Sequence, residues 1–231
     1  GVIPNMVDLP GELAITLSPE NPSPGQNVSV RLEMYTEDLN IAYISWFVNE
    51  KLVQDGKGLL IYNFKAPASG ESVNLKIKII LENGTSFQKS VSIKPFNLNL
   101  IWEANSYTTP FYMGKALMPP QGQVKIWALA DSKNLVYKWT INGNVKQEFG
   151  GFGGDRAIVV APLIGDDISV EVLATNPTTG QSAIKNIFIK THQPKISFYK
   201  IDPLYGILFN KTLSIASIEK EEINILAVPY N

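Results

Sequence analysis

Residues 28–34, VSVRLEM, alternate strictly: Val28, Val30, Leu32 and Met34 fall on one side and Ser29, Arg31 and Glu33 on the other. A period of two marks a strand with one buried face. AYISWFVNE repeats the pattern with Ile44, Trp46 and Val48 inward, SVNLKIKII with Val73, Leu75, Ile77 and Ile79, and KSVSIK with Val91 and Ile93. Turn residues separate these runs: SPENPSPG, DGKG at 55–58, APASG at 66–70 and ENG at 82–84. No helical period interrupts them. The pattern predicts an all-β chain built as antiparallel, immunoglobulin-like sandwiches.

The series then recurs. Trp46 and Asn49 map onto Trp139 and Asn142, 93 positions on, so WFVN is answered by WTIN. Leu75 and Ile77 map onto Val170 and Val172 at an offset of 95, and Gly84 and Ile93 onto Gly180 and Ile189 at 96. Slowly growing offsets are what small loop insertions leave in a duplicated domain. Both tryptophans point inward by their alternation, and each is expected to fill the space between two sheets.

After His192 a third copy begins. KISFYKIDPLYGILFNKTL resembles NLNLIWEANSYTTPFYMGKAL, and EEINILAVPY corresponds to QVKIWALA. The expected organisation is therefore a sandwich over 1–95, a second over 96–192, and a partial third module or docked tail over 193–231 that supplies about two strands. The joints, IKPFN and KTHQPK, carry one proline each and no glycine. That composition favours a stiff rod.

The glycine-rich GGFGG at 150–154 invites a phosphate-loop reading, which its context rejects. A dinucleotide fingerprint starting at Gly151 needs glycine where Arg156 stands, a P-loop needs Gly-Lys-Ser/Thr, and the segment runs into another strand. It is expected to be a turn.

Composition removes several functions. Twenty basic residues against 21 acidic ones leave no field for nucleic acid or an anionic membrane. No cysteine means no disulfide, thiolate metal site or thiol nucleophile. No apolar run is long enough to span a bilayer, and GVIPNMVDLP lacks a signal peptide's pattern, so any export address is expected outside these residues. Sequons at Asn27, Asn83 and Asn210 matter only in a eukaryotic secretory route.

Little catalytic chemistry is left. His192 is the only histidine and sits in the second joint, so no multi-histidine metal site or serine triad is expected. Asp166 and Asp167 are adjacent, and adjacent strand residues face opposite ways. With no acid/base pair and no activated nucleophile, the chain is expected not to be an enzyme. No cofactor is expected. Calcium alone merits consideration, at the loop holding Glu37, Asp38 and Asn40, although the aspartates are few and scattered.

The aromatic loops are the candidate interaction surfaces. Trp102, Tyr107, Phe111 and Tyr112 lie in or beside one long connection, and Tyr199, Tyr205 and Phe209 lie in its counterpart. They either pack across the joint between successive repeats, which their recurrence at the start of each later repeat favours, or form a stacking platform for sugars or a partner protein.

The run from Pro19 to Pro95, with its PSPGQ loop, WxxN strand, glycine turn and SVNLKIKIILENGTSFQKSVSIKP, resembles PKD-type and related immunoglobulin-like modules of bacterial surface proteins. Asn49-Glu50 departs from the usual Gly-Asp or Asp-Gly pair. The resemblance implies a non-catalytic stalk, spacer, adhesion or filament role at a cell surface, outside the cell or in the periplasm. Its partners would be other surface modules or neighbouring copies, with carbohydrate or protein binding through the aromatic loops as the alternative.

Overall fold

The computed structural model describes residues 13–109, 112–163, 167–213 and 222–230. Among these residues the chain forms seventeen strands and no helix. The sheets are antiparallel throughout, and two separate cores divide most of the apolar residues between them.

The first sandwich packs a three-stranded sheet, ordered β1 (Ala14–Ser18), β2 (Asn27–Glu33), β5 (Ile61–Lys65), on a four-stranded one, ordered β4 (Lys51–Lys57), β3 (Tyr43–Val48), β6 (Val73–Ile80), β7 (Ser86–Ile93). Alternation decides what lies between them. Val28, Val30 and Leu32 from one sheet meet Ile44, Trp46, Leu75, Ile77 and Ile79 from the other, all buried. The ring of Trp46 stacks on Tyr62 at 5.4 Å between centroids, closing the layer at its centre.

The second sandwich repeats this order. β8 (Leu98–Ala104), β9 (Gln123–Ala130) and β12 (Arg156–Val160) form one sheet, and β11 (Asn144–Phe152), β10 (Val136–Ile141), β13 (Ile168–Thr175) and β14 (Ser182–Ile189) form the other. Register repeats with it: Trp46 lies opposite Ile77 on β6, and Trp139 opposite Val172 on β13. Trp139 is fully buried, and where the first sandwich pairs Tyr62 and Phe64 with β2, the second pairs Ala157 and Val159 with β9. Both sandwiches thus have the immunoglobulin-like layering, with the strand that follows the tryptophan strand in the same sheet as it.

The structure corrects the glycine-rich stretches. Gly150 and Gly151 continue β11, Gly151 pairing with Tyr137, and the turn is confined to 153–155. In the first sandwich Asp55, Gly56 and Lys57 are likewise part of β4. A register shift between Tyr137 and Trp139, matched by one between Trp46 and Phe47, bulges each hairpin and lets its second strand run on through glycines.

The third segment also differs from expectation. It contributes three strands, ordered β16 (Gly206–Thr212), β15 (Lys195–Asp202), β17 (Ile225–Tyr230). The extra strand forms because the Asp202 carboxylate accepts the backbone N–H groups of Leu204 and Tyr205, at 2.9 and 3.2 Å, and turns the chain back through Gly206. Among its described residues, the equivalent stretch of the second sandwich, 105–121, makes one isolated bridge, Met118 to Thr191.

Candidate functional site

Two elements could carry function: the joint between the sandwiches and the aromatic loops. The joint is built around a residue that sequence reasoning passed over. Asp131 follows β9, and its carboxylate accepts the Ser69 hydroxyl of the first sandwich at 2.6 Å. It also accepts the Asn97 backbone N–H at 2.8 Å and the Asn97 side-chain amide at 2.7 Å. Asn97 stands in the connecting segment directly before β8. One carboxylate therefore ties the first sandwich, the connection and the second sandwich together. Desolvation pushes the Asp131 carboxyl up, but the bonds from Ser69 and Asn97 outweigh it and hold the group below the ordinary aspartate range.

Two further contacts frame the joint. Gly70 N–H reaches the Pro95 carbonyl at 3.4 Å, and Phe96 is buried in the second core. A cleft of about 340 Å3 opens between the end of β7 and the turn joining β13 to β14.

The aromatic residues of the loops stand in different surroundings. Trp102 projects from β8 onto the second core, with the Lys115 ammonium 3.2 Å from its ring centroid. That contact occupies the ring face, and desolvation lowers the Lys115 pKa. Tyr107 and Tyr112 are exposed, and the Tyr112 hydroxyl donates to the Lys115 carbonyl at 3.4 Å. Phe111 lies outside the described residues. In the third segment Tyr205 is exposed, but Tyr199 is buried and meets Phe209 edge-on at 5.3 Å. Tyr199 and Phe209 thus pair within their own sheet.

Among the described residues the remaining candidates show no converging chemistry. Asp38 accepts both the backbone and side-chain N–H of Asn40, at 2.9 and 2.8 Å, and the backbone bond leads in lowering its pKa. Its carboxylate closes a turn. Among the described residues no three His, Cys, Asp or Glu side chains gather as a metal site. His192 is exposed, its backbone N–H bound to the Met118 carbonyl at 2.8 Å. Asp166 lies outside the described residues, so its pairing with Asp167 is not described. Among the described residues no helix is long and apolar enough to cross a membrane.

The WxxN motif has a function in folding that its recurrence signalled. Asn49 and Asn142 both adopt left-handed backbone angles at a two-residue hairpin turn. The Asn49 side-chain oxygen accepts the Asn74 N–H while its own N–H bonds the Asn74 carbonyl, each at 2.9 Å. Asn142 makes the same pair with Ser169, again at 2.9 Å. Each asparagine pins its hairpin to the next strand of the sheet.

With strand order and joint in view, the chain is a tandem of immunoglobulin-like sandwiches followed by a third sheet. No family model matches it, and no curated protein sequence matches it significantly. Solved structures with similar layering include the fibronectin(III)-like modules of CbhA from Clostridium thermocellum, at 14% identity and a TM-score of 0.38, covering 79% of this chain and 95% of that one. The central fibronectin-III array of RIM-binding protein matches at 13% identity and TM-score 0.27, covering 85% and 76%. A Bacteroides ovatus glucan-utilisation protein, SGBP-B, solved with a mixed-linkage heptasaccharide, matches at 11% identity and TM-score 0.24, covering 83% and 74%.

Proposed function

We propose that the chain is a non-catalytic spacer: a stiff stalk segment of an exported surface protein, with modules over 1–95, 96–192 and 193–231, that sets distance and presents or joins neighbouring parts. The observation that carries this reading is the Asp131 clip, because a hydrogen bond crossing from Ser69 to a carboxylate that Asn97 holds in place transmits orientation where a bare linker would not. The proline-bearing, glycine-free connection supports it from the sequence side. The aromatic loops serve the ends of the modules in this reading: Trp102 is capped by Lys115, and Tyr199 is closed by Phe209.

The absence of cysteine makes the test direct. Spin labels on cysteines introduced at Leu52 and Val145, both exposed, report the distance between the sandwiches by pulsed electron resonance. A stiff spacer gives one narrow distance distribution. A broad distribution, as from modules on a flexible tether, overturns the reading.

A further inference from the structure

The dipeptide Asn-Gly occurs twice in the chain, at 83–84 in the turn between β6 and β7 and at 142–143 in the turn between β10 and β11. An asparagine before glycine is open to ring closure, because no side chain shields the glycine nitrogen from the asparagine's own amide carbon. The two turns hold this pair in opposite ways.

At Asn142 the side chain is engaged on the neighbouring strand: Oδ1 accepts the Ser169 N–H, and the Asn142 N–H bonds the Ser169 carbonyl, both at 2.9 Å. Freeing that amide takes the hairpin off β13. At Asn83 the side chain is engaged on its own chain, with Oδ1 accepting the Thr85 N–H two residues on at 2.9 Å. This folds the amide back over the Gly84 peptide. The same N–H points at the oxygen on which negative charge develops when the amide carbon is attacked. Gly84 has a φ of 84° and no neighbour within 4 Å of where a Cβ would stand. Its N–H bonds the Leu81 carbonyl at 3.0 Å, and opening that bond in an exposed turn is a local event.

We infer that Asn83 is a site of spontaneous covalent modification in the folded chain, closing on Gly84 and opening to aspartate or isoaspartate, while Asn142 is protected by its bonds to Ser169. Hydroxide takes the Gly84 amide proton, the nitrogen attacks Cγ of Asn83, and the Cγ–Nδ2 bond breaks as ammonia leaves with a proton from water. Water then opens the five-membered imide. Cleavage on the Cγ side leaves aspartate; cleavage at the backbone carbonyl leaves isoaspartate, whose extra methylene enters the main chain. Either product adds a negative charge beside Glu82, whose carboxylate lies 3.9 Å from the Lys57 ammonium. The turn stands at the far end of β7 from the joint, whereas its counterpart around Gly180 lines the cleft against the first sandwich and has Thr179 before the glycine. The reactive dipeptide is therefore kept off the joint.

The test ages the purified chain at mildly alkaline pH in water enriched in oxygen-18, then digests it with trypsin in ordinary water. Peptides 79–89 and 139–146 each contain one Asn-Gly pair, and fragmentation locates the label within them. Uptake at Asn83 should outrun that at Asn142 by about tenfold or more, the factor for ~1.4 kcal/mol held in the two bonds to Ser169. In urea, where neither turn persists, the two sites should take up label at comparable rates. Gly84→Ala, which shields the attacking nitrogen, should slow uptake at Asn83 in the folded chain and leave Asn142 as it was. Equal uptake at the two sites of the folded chain, faster uptake at Asn142, or none at either overturns the inference. A preference for Asn83 that persists unchanged in urea also overturns it, because the discrimination would then come from sequence and not from the fold. None of these outcomes touches the spacer reading, which depends on the distance between the first two sandwiches.

Discussion

The indole N–H of Trp139 donates to the Gly154 carbonyl at 2.8 Å, spanning the two sheets at the centre of the second sandwich. Trp46 does the same to Leu59 at 2.9 Å. Each tryptophan fills the core and also satisfies a carbonyl in the chain crossing from one sheet to the other. Trp139→Phe keeps an aromatic ring but leaves that carbonyl without its partner, at a cost of ~1–3 kcal/mol, while Trp139→Ala adds a cavity for a total of ~3–5 kcal/mol. Denaturant midpoints of the two variants should fall in that order. Equal midpoints would mean that the hydrogen bond contributes nothing.

Gly154 is constrained from the other side. A Cβ there would stand 2.5 Å from the Phe149 carbonyl oxygen, backbone that cannot step aside. Gly154→Ala should therefore destabilise the second sandwich by at least ~1–3 kcal/mol, the usual cost of overpacking. In contrast, Gly180→Ala meets no neighbour within 4 Å and costs only the strain of a left-handed angle. Thermal melts of the two variants separate crowding from backbone strain.

The hairpin turns offer a gain as well as a loss. Asn142→Ala removes the bond to the Ser169 N–H and places alanine at a positive angle, costing ~1–2 kcal/mol. Glu50 holds a positive angle of 67° at the position where the second sandwich has Gly143. Its ion pair with Lys76, 3.3 Å long, is on the surface and contributes little. Glu50→Gly should thus raise the stability of the first sandwich by ~0.5–1 kcal/mol. A lowered midpoint would assign the ion pair more than its exposure allows.

Spectrophotometric titration gives a further check. The Tyr43 hydroxyl donates to Asp55, and that bond, joined by the carboxylate's charge, raises the Tyr43 pKa above the ordinary tyrosine value. Burial, then the charge of Asp155, raises Tyr137. Both should ionise above the ordinary tyrosine range. Asp55→Asn should return Tyr43 to the ordinary range and leave Tyr137 where it was.

These features differ in how far the sequence exposes them. Val28, Val30 and Leu32 alternate because one face of their strand is buried, and burial leaves a period that a reader can count. The tryptophans and the duplication are legible for the same reason. Asp131 is not: it is one aspartate in a polar loop, and its partners Ser69 and Asn97 stand 62 and 34 residues away. Tyr199 misleads in the opposite sense, because its place in the repeat is an outward one and the extra strand β16 brings Phe209 against it. Local pattern reports local burial; a tertiary hydrogen bond or an added strand leaves no period behind.

Asp131 supplies the prediction that bears most directly on function. Its carboxyl is held below the ordinary aspartate range, so the carboxylate is the form that the folded joint favours. For a depressed carboxyl the stabilisation is present in full above the unfolded value and is lost as pH falls through the folded one. The clip should therefore be intact from neutral pH down to about 4 and fail below it. Its bonds are solvent-accessible, so their loss costs the joint little energy while freeing its direction. The narrow distance distribution between labels at 52 and 145 should broaden on acidification below that point. Asp131→Ala should broaden it at every pH, and Ser69→Ala, which removes the bond crossing to the first sandwich, should do so in part. If Asp131→Ala leaves the distribution narrow at neutral pH, the stiffness of the joint comes from Pro95 and Phe96 packing instead, and the acid transition should then be absent from the wild-type chain as well.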